Sequence, residues 1–323
     1  MAPEQQKDTN ETILLQKGFR SKKLNRAVHW VKIFFTPVAI GFLAYYAWQS
    51  RQNIAVIANN ANIWHLEIAL MGWALIHFIS PIFAVLILNG SGSVVTYEVA
   101  LRIHIVNLPG KYIPGGVWHT VSRVVDFKFH GVTSSRIALF VFLENVLAPA
   151  VTLGAGGACL WYFLGFRGWG AAGAVGMMLG LFAMLVFPKI VNWSKTGPNK
   201  RLPMKIYIKS LGIVAIFWTI AAGAFTIYIF AFPAAAENLT VFKVAGAYLF
   251  SWGIGYISFF APQGIGVFEA VAGGIMAGKL PLGSLVALIA SFRILVLVAD
   301  ILAWAGYKTY TWKRKERAPL GVQ

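Results

Sequence analysis

The apolar residues of this chain come in blocks of roughly 20 residues or more, the length a helix needs to cross a bilayer core. Blocks at about Lys32 to Gln49, Leu66 to Leu88, Ile137 to Leu164, Trp169 to Phe187, Ser210 to Phe232 and Leu282 to Tyr307 predict six crossing helices. Polar or basic segments separate them, so the pattern predicts an all-α polytopic membrane protein. Shorter apolar segments lie between the blocks, at about Val94 to Asn107, Val117 to Val125, Val241 to Phe259 and Val267 to Gly278.

Those shorter segments flank two breaks. Asn107-Leu-Pro-Gly-Lys-Tyr-Ile-Pro-Gly-Gly-Val-Trp118 carries two prolines and three glycines and cannot continue a regular helix. Phe260-Ala-Pro-Gln-Gly-Ile-Gly-Val-Phe-Glu269, with one proline and two glycines, is a similar break in the second half of the chain. Irregular backbone is tolerated at membrane depth only where protein or a water-filled cavity satisfies its polar groups. Each break is therefore expected in a re-entrant hairpin lining a site, the two entered from opposite faces. That is the plan of an inverted repeat with discontinuous helices.

Charge orients the chain. The formal net charge of +17 would point to nucleic acid in a soluble protein, but here the charges sit at the ends of apolar blocks. Arg51, Arg167, Lys243 and Lys279 fall on one side and Arg293 within a span, leaving 23 of the 28 Lys and Arg residues on the other side. The positive-inside rule makes that richer side cytoplasmic. The expected organisation is a basic cytoplasmic segment at 1–31 with surface-lying helical spacing and no cleavable signal peptide. A first transmembrane half at 32–188 contains the break at 107–118. A basic cytoplasmic loop at 189–209 follows, then a second half at 210–307 with the break at 260–269, and a basic cytoplasmic tail at 308–323. Glycines 170, 173, 176 and 180 in the fourth block predict close helix contact.

Ionisable residues inside membrane spans are functional candidates by default. Lys111, Arg123 and Arg293 are the candidate phosphate-binding cations, and Glu144 and Glu269 the candidate cavity acids. Glu144 and Arg293 stand at comparable distances after Pro114 and Pro262, which makes a Glu144–Arg293 pair one option. Asp300, near the cytoplasmic end of the last block, reads as an interfacial or helix-locking residue. Gly115, Gly116, Gly264 and Gly266 stand where half-helices would begin, and unpaired amides at a helix start favour anions such as phosphate. Arginine forks match phosphate oxygens bidentately.

Catalysis finds little support. Three aspartates (Asp8, Asp126, Asp300) cannot supply the paired acidic motifs that hold magnesium in membrane transferases. The six histidines show no helical spacing for zinc; His119, beside the first break, reads as a hydrogen-bonded helix-end residue. The single cysteine, Cys159, lies in an apolar block, so no disulfide framework or thiolate metal site is expected. Neither cofactor nor metal is expected, nor nucleic acid as a partner.

Leu108-Pro-Gly-Lys-Tyr-Ile-Pro-Gly-Gly-Val-Trp118 with Arg123, and Ala261-Pro-Gln-Gly-Ile-Gly-Val-Phe-Glu269 with Ser291-Phe-Arg293, resemble the flippase-like transmembrane family related to lysylphosphatidylglycerol synthase. The resemblance spans about residues 30 to 310 and covers the membrane half of the multiple peptide resistance factor without its soluble synthase domain. It implies movement of lipids, aminoacylated phosphatidylglycerol or polyprenyl-linked, between leaflets of a prokaryotic inner membrane. It also places Arg123, Glu269 and Arg293 in a central cavity. The expected function is translocation of a phosphate-bearing lipid by a protein that is not an enzyme. Alternatives are a transporter or channel for a small soluble anion, or a membrane scaffold for a lipid- or glycan-modifying enzyme.

Overall fold

The computed structural model describes residues 51–89, 95–112, 118–193, 202–258, 260–278 and 280–316, with scattered helical positions at 41–49. In chain order the first half holds α1 (Arg51–Asn59), α2 (Ile63–Leu88), α3 (Tyr97–Val106), α4 (Trp118–Phe129), α5 (Ser134–Leu164) and α6 (Trp169–Trp193). The second half holds α7 (Met204–Phe230), α8 (Val241–Ile257), α9 (Val267–Met276) and α10 (Leu282–Glu316). Every regular element among the described residues is a helix, and five of them, α2, α5, α6, α7 and α10, are long and apolar enough to cross a membrane. Two shorter helices, α8 and α9, are apolar as well. The block expected at Lys32 to Gln49 lies largely outside the described residues.

Helix starts follow local capping chemistry. Asn62 accepts from the amides of Trp64 and His65 at α2, Thr96 from Val99 at α3, and Thr240 from Lys243 at α8, which satisfies donors a helix start leaves orphaned. Helix ends run beyond the apolar blocks: α6 continues to Trp193, α7 begins at Met204 and α10 continues to Glu316. Hydropathy marks where side chains leave hydrocarbon. The backbone ladder has no reason to stop there, because each internal hydrogen bond still satisfies two polar groups.

Each half places a long helix, a short helix, a break, a second short helix and a long helix in the same order: α2, α3, α4, α5 and then α7, α8, α9, α10. The 3₁₀ turns Leu108–Tyr112 and Pro262–Gly264 occupy the breaks. Helix α5 lies between α6 and α8, and glycine decides both contacts. A Cβ on Gly157 would stand 2.4 Å from the Gly173 carbonyl oxygen of α6, one on Gly180 2.5 Å from the Ala150 oxygen, and one on Gly156 2.4 Å from the Phe250 amide of α8. Gly176 makes room for the Phe250 ring. Gly170, by contrast, faces the Gly165 oxygen of its own turn rather than another helix. With lipid as apolar as any side chain, such backbone approach is a main source of attraction between helices.

Beneath the second break, Phe225 stacks on Tyr248 at 4.8 Å and meets Phe292 and Phe268 edge to face at 5.0 and 6.0 Å. Trp73 of α2 adds its edge to Phe292 at 5.5 Å. This aromatic centre ties α2, α7, α8, α9 and α10 together, each ring pair worth about 0.5–1.5 kcal/mol beyond its area. A second apolar core gathers Phe83, Ile87, Ile103, Phe127, Phe140 and Leu143 from α2 to α5.

Gly157→Ala and Gly180→Ala are each expected to lower stability by about 1–3 kcal/mol through overpacking against backbone. Gly212→Ala and Gly223→Ala, whose added methyls meet open space, should leave it unchanged or raise it by up to about 1 kcal/mol from helix propensity. Thermal unfolding in detergent reads both.

Candidate functional site

The second break is held in a left-handed turn. Gln263 (φ 55°) and Gly264 (φ 66°) adopt backbone angles that a side chain normally forbids, and Gly264 packs directly on Gly255 of α8. For glutamine this conformation costs about 1–3 kcal/mol, so the surroundings must fix it. They do: the Gln263 side-chain amide donates to the Lys111 carbonyl at 2.6 Å, and the Gln263 carbonyl accepts from both terminal nitrogens of Arg293 at 3.4 Å. The Gln263–Lys111 bond joins the second break to the first.

Glu269, fully buried one turn into α9, accepts the Gly266 amide at 2.7 Å through one oxygen and Arg293 Nε at 2.6 Å through the other. The carboxylate therefore caps its own helix, where the dipole favours negative charge. The Gly264 amide is given to the Ala261 carbonyl at 2.8 Å. Sequence spacing offered these two amides to an external anion; in the folded chain both are taken, and the anion at the start of α9 is Glu269. Gly115 and Gly116 lie outside the described residues. The Arg293 guanidinium also rests over the Phe268 ring, 5.7 Å from its centroid.

A matching pair stands in the first half. Arg123 of α4, buried, donates from one terminal nitrogen to both Glu144 oxygens at 2.9 and 3.0 Å and lies over Phe140 of α5 at 4.8 Å. The Glu144–Arg293 option is thus replaced by two separate pairs. In both, the short helix after a break is bound to the next long helix, an arrangement that connectivity favours because the partners are 21 and 24 residues apart. Tyr256 at the end of α8 donates to Asn145 beside Glu144, linking the second half to this pair.

Asp300 is buried, not interfacial. One of its oxygens accepts from Lys111 Nζ at 2.7 Å and Tyr112 Oη at 2.8 Å. The other stands 2.9 Å from His77 Nε2, close enough to pair but off the ideal hydrogen-bond direction. Beyond it, His77 Nδ1 meets His104 Nε2 at 3.2 Å, and His104 Nδ1 meets Ser80 Oγ at 3.4 Å. His119 sets its ring edge-on to His104, and its buried Nε2 finds no partner among the described residues. These groups are strung in a line and do not converge. Among the described residues no group of three His, Cys, Asp or Glu side chains could hold a metal ion.

The polar groups form one seam. Seven positions separate Arg293 from Asp300, about 10.5 Å along α10 and within about 20° around it, so both charged pairs lie on one face. On α2 the seam crosses between the two apolar cores, where His77 and Ser80 fall between Ile76 and Phe83. Lys111 and Arg293 keep 34% and 35% of their side chains exposed, whereas Asp300 and Glu269 keep 2% and none. Each cation thus has an open side and a buried counter-ion. From Asp300 and Tyr112 a groove of about 170 Å³ continues between Leu108, Pro109, Leu297, Ile301 and Trp304.

Lys111, Arg123, Glu144, Glu269, Arg293 and Asp300 stand out in the sequence as ionisable residues of the apolar segments and breaks, whereas His77, His104, Tyr112 and Gln263 are assigned no role by it. His77 carried the same signal as Arg293, an ionisable residue inside an apolar block. Gln263 carried none. The chain matches no family model and no curated protein.

Removing one partner of a buried pair strands the other's charge. With Arg293 partly exposed, Arg293→Met should cost about 3 kcal/mol, the lower end of the usual range, and the Glu269→Gln/Arg293→Met double variant should be more stable than this single one. Denaturant unfolding in detergent would reveal the coupling.

Proposed function

We propose that this protein moves a phosphate-bearing lipid between the leaflets of a prokaryotic inner membrane and is not an enzyme. The observation that carries the reading is the hydrogen bond from Gln263 to Lys111, which brings the two breaks and their partly exposed cations to one place. A headgroup phosphate crossing hydrocarbon alone would face a prohibitive desolvation penalty. Lys111 and Arg293 offer it counter-charges along a path. Asp300 and Glu269 hold those cations when no headgroup is present, so binding exchanges one ion pair for another and no buried cation is left alone. Arg123 and Glu144 brace the first half in the same way.

The groove beside Asp300 has apolar walls and is smaller than the roughly 300–1,000 Å³ of a ligand-sized pocket. That suits one stretch of acyl or prenyl chain, the rest remaining in lipid. The matching helix order of the halves, and an Arg–Glu pair after each break with the two residue types exchanged, support the plan of two re-entrant hairpins and an inverted repeat, with six spans counted from the sequence. Rocking of one repeat against the other, with the Gln263–Lys111 contact opening and closing, alternates the exposure of the seam. The reading agrees with the resemblance to flippase-like proteins related to lysylphosphatidylglycerol synthase, and it makes membrane lipids the partners of this chain. A lipid- or glycan-modifying enzyme is the natural supplier of the substrate.

Purified protein in liposomes is expected to exchange one class among labelled phospholipids and polyprenyl phosphates, and the Arg293→Ala/Glu269→Gln double variant to lose at least about nine-tenths of that rate, equivalent to about 1.4 kcal/mol. Exchange undiminished in the folded variant removes the central residues from the reading. Uptake of a soluble anion without lipid movement replaces it with anion transport. For orientation, cysteines introduced at Arg167 and Gly278 in a Cys159→Ser background should react with an impermeant reagent from outside the cell, and one at His130 only after permeabilisation. Labelling of His130→Cys in intact cells overturns the assigned sidedness.

A further inference from the structure

Beyond the hold of Asp300 on Lys111, the line of polar contacts running from Asp300 through His77 and His104 to Ser80 is not used by the proposed headgroup path. It is built from residues of three helices, and its two imidazoles are buried. Among the described residues the charged and titratable groups facing it are few. On Asp300 act His77 from α2 and Lys111 and Tyr112 from the first break. On the imidazoles act His119 and the charge of Arg123 from α4, together with Lys111. Arg293, two turns away on the same face of α10, is neutralised by Glu269.

We infer that this line is a proton path, and that capture of an anionic headgroup by Lys111 is coupled to uptake of one proton by Asp300. The inference rests on the lipid-translocating reading and adds its coupling ion. With neutral rings, Ser80 donates to His104 Nδ1, His104 Nε2–H donates to His77 Nδ1, and His77 Nε2–H points to Asp300. When Lys111 turns to a phosphate, Asp300 loses its buried counter-charge, an expensive state unless it is neutralised. A proton from water at the half-buried Ser80 end binds His104 Nδ1. His104 then passes its Nε2 proton to His77 Nδ1, and His77 passes its Nε2 proton to the Asp300 oxygen. One proton has been taken up, Asp300 is neutral, and each ring is again neutral in the opposite tautomer. Every contact in the line is kept with its direction reversed: Asp300 now donates toward His77, His77 to His104, and His104 to the Ser80 oxygen. Release of the headgroup returns Lys111 to Asp300 and drives the proton back out. The His119 ring stands edge-on beside His104, and its buried Nε2, without a partner among the described residues, is a further polar group beside the line.

Two measurements test this. In liposomes a pH step imposed across the membrane is expected to change the initial rate of lipid exchange by up to about tenfold per unit, the limit for one coupled proton. His104→Gln should reduce that response below twofold, and His130→Gln, an exposed control outside the line, should retain it. Wild-type lipid exchange indifferent to the pH step overturns the proton coupling while leaving lipid translocation standing; absence of all lipid exchange overturns translocation itself. The second measurement needs no transport. Infrared difference spectra of the detergent-purified protein with dimethyl phosphate as headgroup probe, taken from roughly pH 8 to 5, should show the carbonyl band of a buried protonated carboxyl. That band should be missing in Asp300→Asn and displaced in pH by His77→Gln. A wild-type spectrum without it, or a band that persists in Asp300→Asn, overturns the inference.

Discussion

A charge placed among membrane-spanning helices must bring its counter-charge with it, because neither lipid nor a close-packed bundle can solvate it. Among the described residues, three pairs meet the constraint at the breaks: Arg123 with Glu144, Arg293 with Glu269, and Lys111 with Asp300. The pairs do more than neutralise one another. Each joins a short helix or turn at a break to a long helix, so the irregular backbone that could not hold itself together is fixed by electrostatics. Glu269 shows how tightly the roles are combined. One oxygen caps α9 and the other holds Arg293, so the start of a half-helix and the charge of its neighbour are set by a single carboxylate.

Such a seam is sustained only if the surrounding bundle is rigid. The glycines between α5, α6 and α8 let backbones approach to distances that no side chain would allow, and the aromatic centre around Phe225 and Phe292 packs directly beneath the second break. Phe268 and Phe292 belong to that centre and are sequence neighbours of Glu269 and Arg293. Packing and charge are therefore coupled by adjacency: the rings that fill the core position the residues that cannot be allowed to wander.

In two of these pairs, Lys111 with Asp300 and Arg293 with Glu269, the acid is buried and the cation partly exposed, the contrast on which the proposed function rests. Buried acids fix the resting geometry, and half-open cations leave room for another anion. The proposed phosphate-bearing headgroup suits that contrast, and the groove beside Leu297, Ile301 and Trp304 suits its apolar chain. The imidazoles of His77 and His104 connect the same acid to a half-buried hydroxyl, so the charge that Lys111 leaves behind has somewhere to be neutralised.

Much of this was legible from the residues alone, for physical reasons. Apolar blocks of bilayer length force helices, proline and glycine force breaks, and an ionisable residue in hydrocarbon demands a partner, so the long helices, both interruptions and six of the charged residues could be named from the chain. The identities of the partners could not. Whether Glu144 answers Arg293 or Arg123 depends on how helices pack, a matter of side-chain shape summed over many contacts, and no spacing rule contains it. The same holds for His77 and His104, which meet only because α2 and α3 cross beside α10, and for Gln263, whose left-handed backbone and bond to Lys111 exist only once two distant segments touch. The glycines at 264 and 266 show the converse: their amides looked free for an anion in sequence, and the fold filled them with Ala261 and Glu269. Sequence by itself determined which residues had to find a partner in the membrane; tertiary structure decided which partner each one found, because that choice is made by contact geometry across elements far apart in the chain.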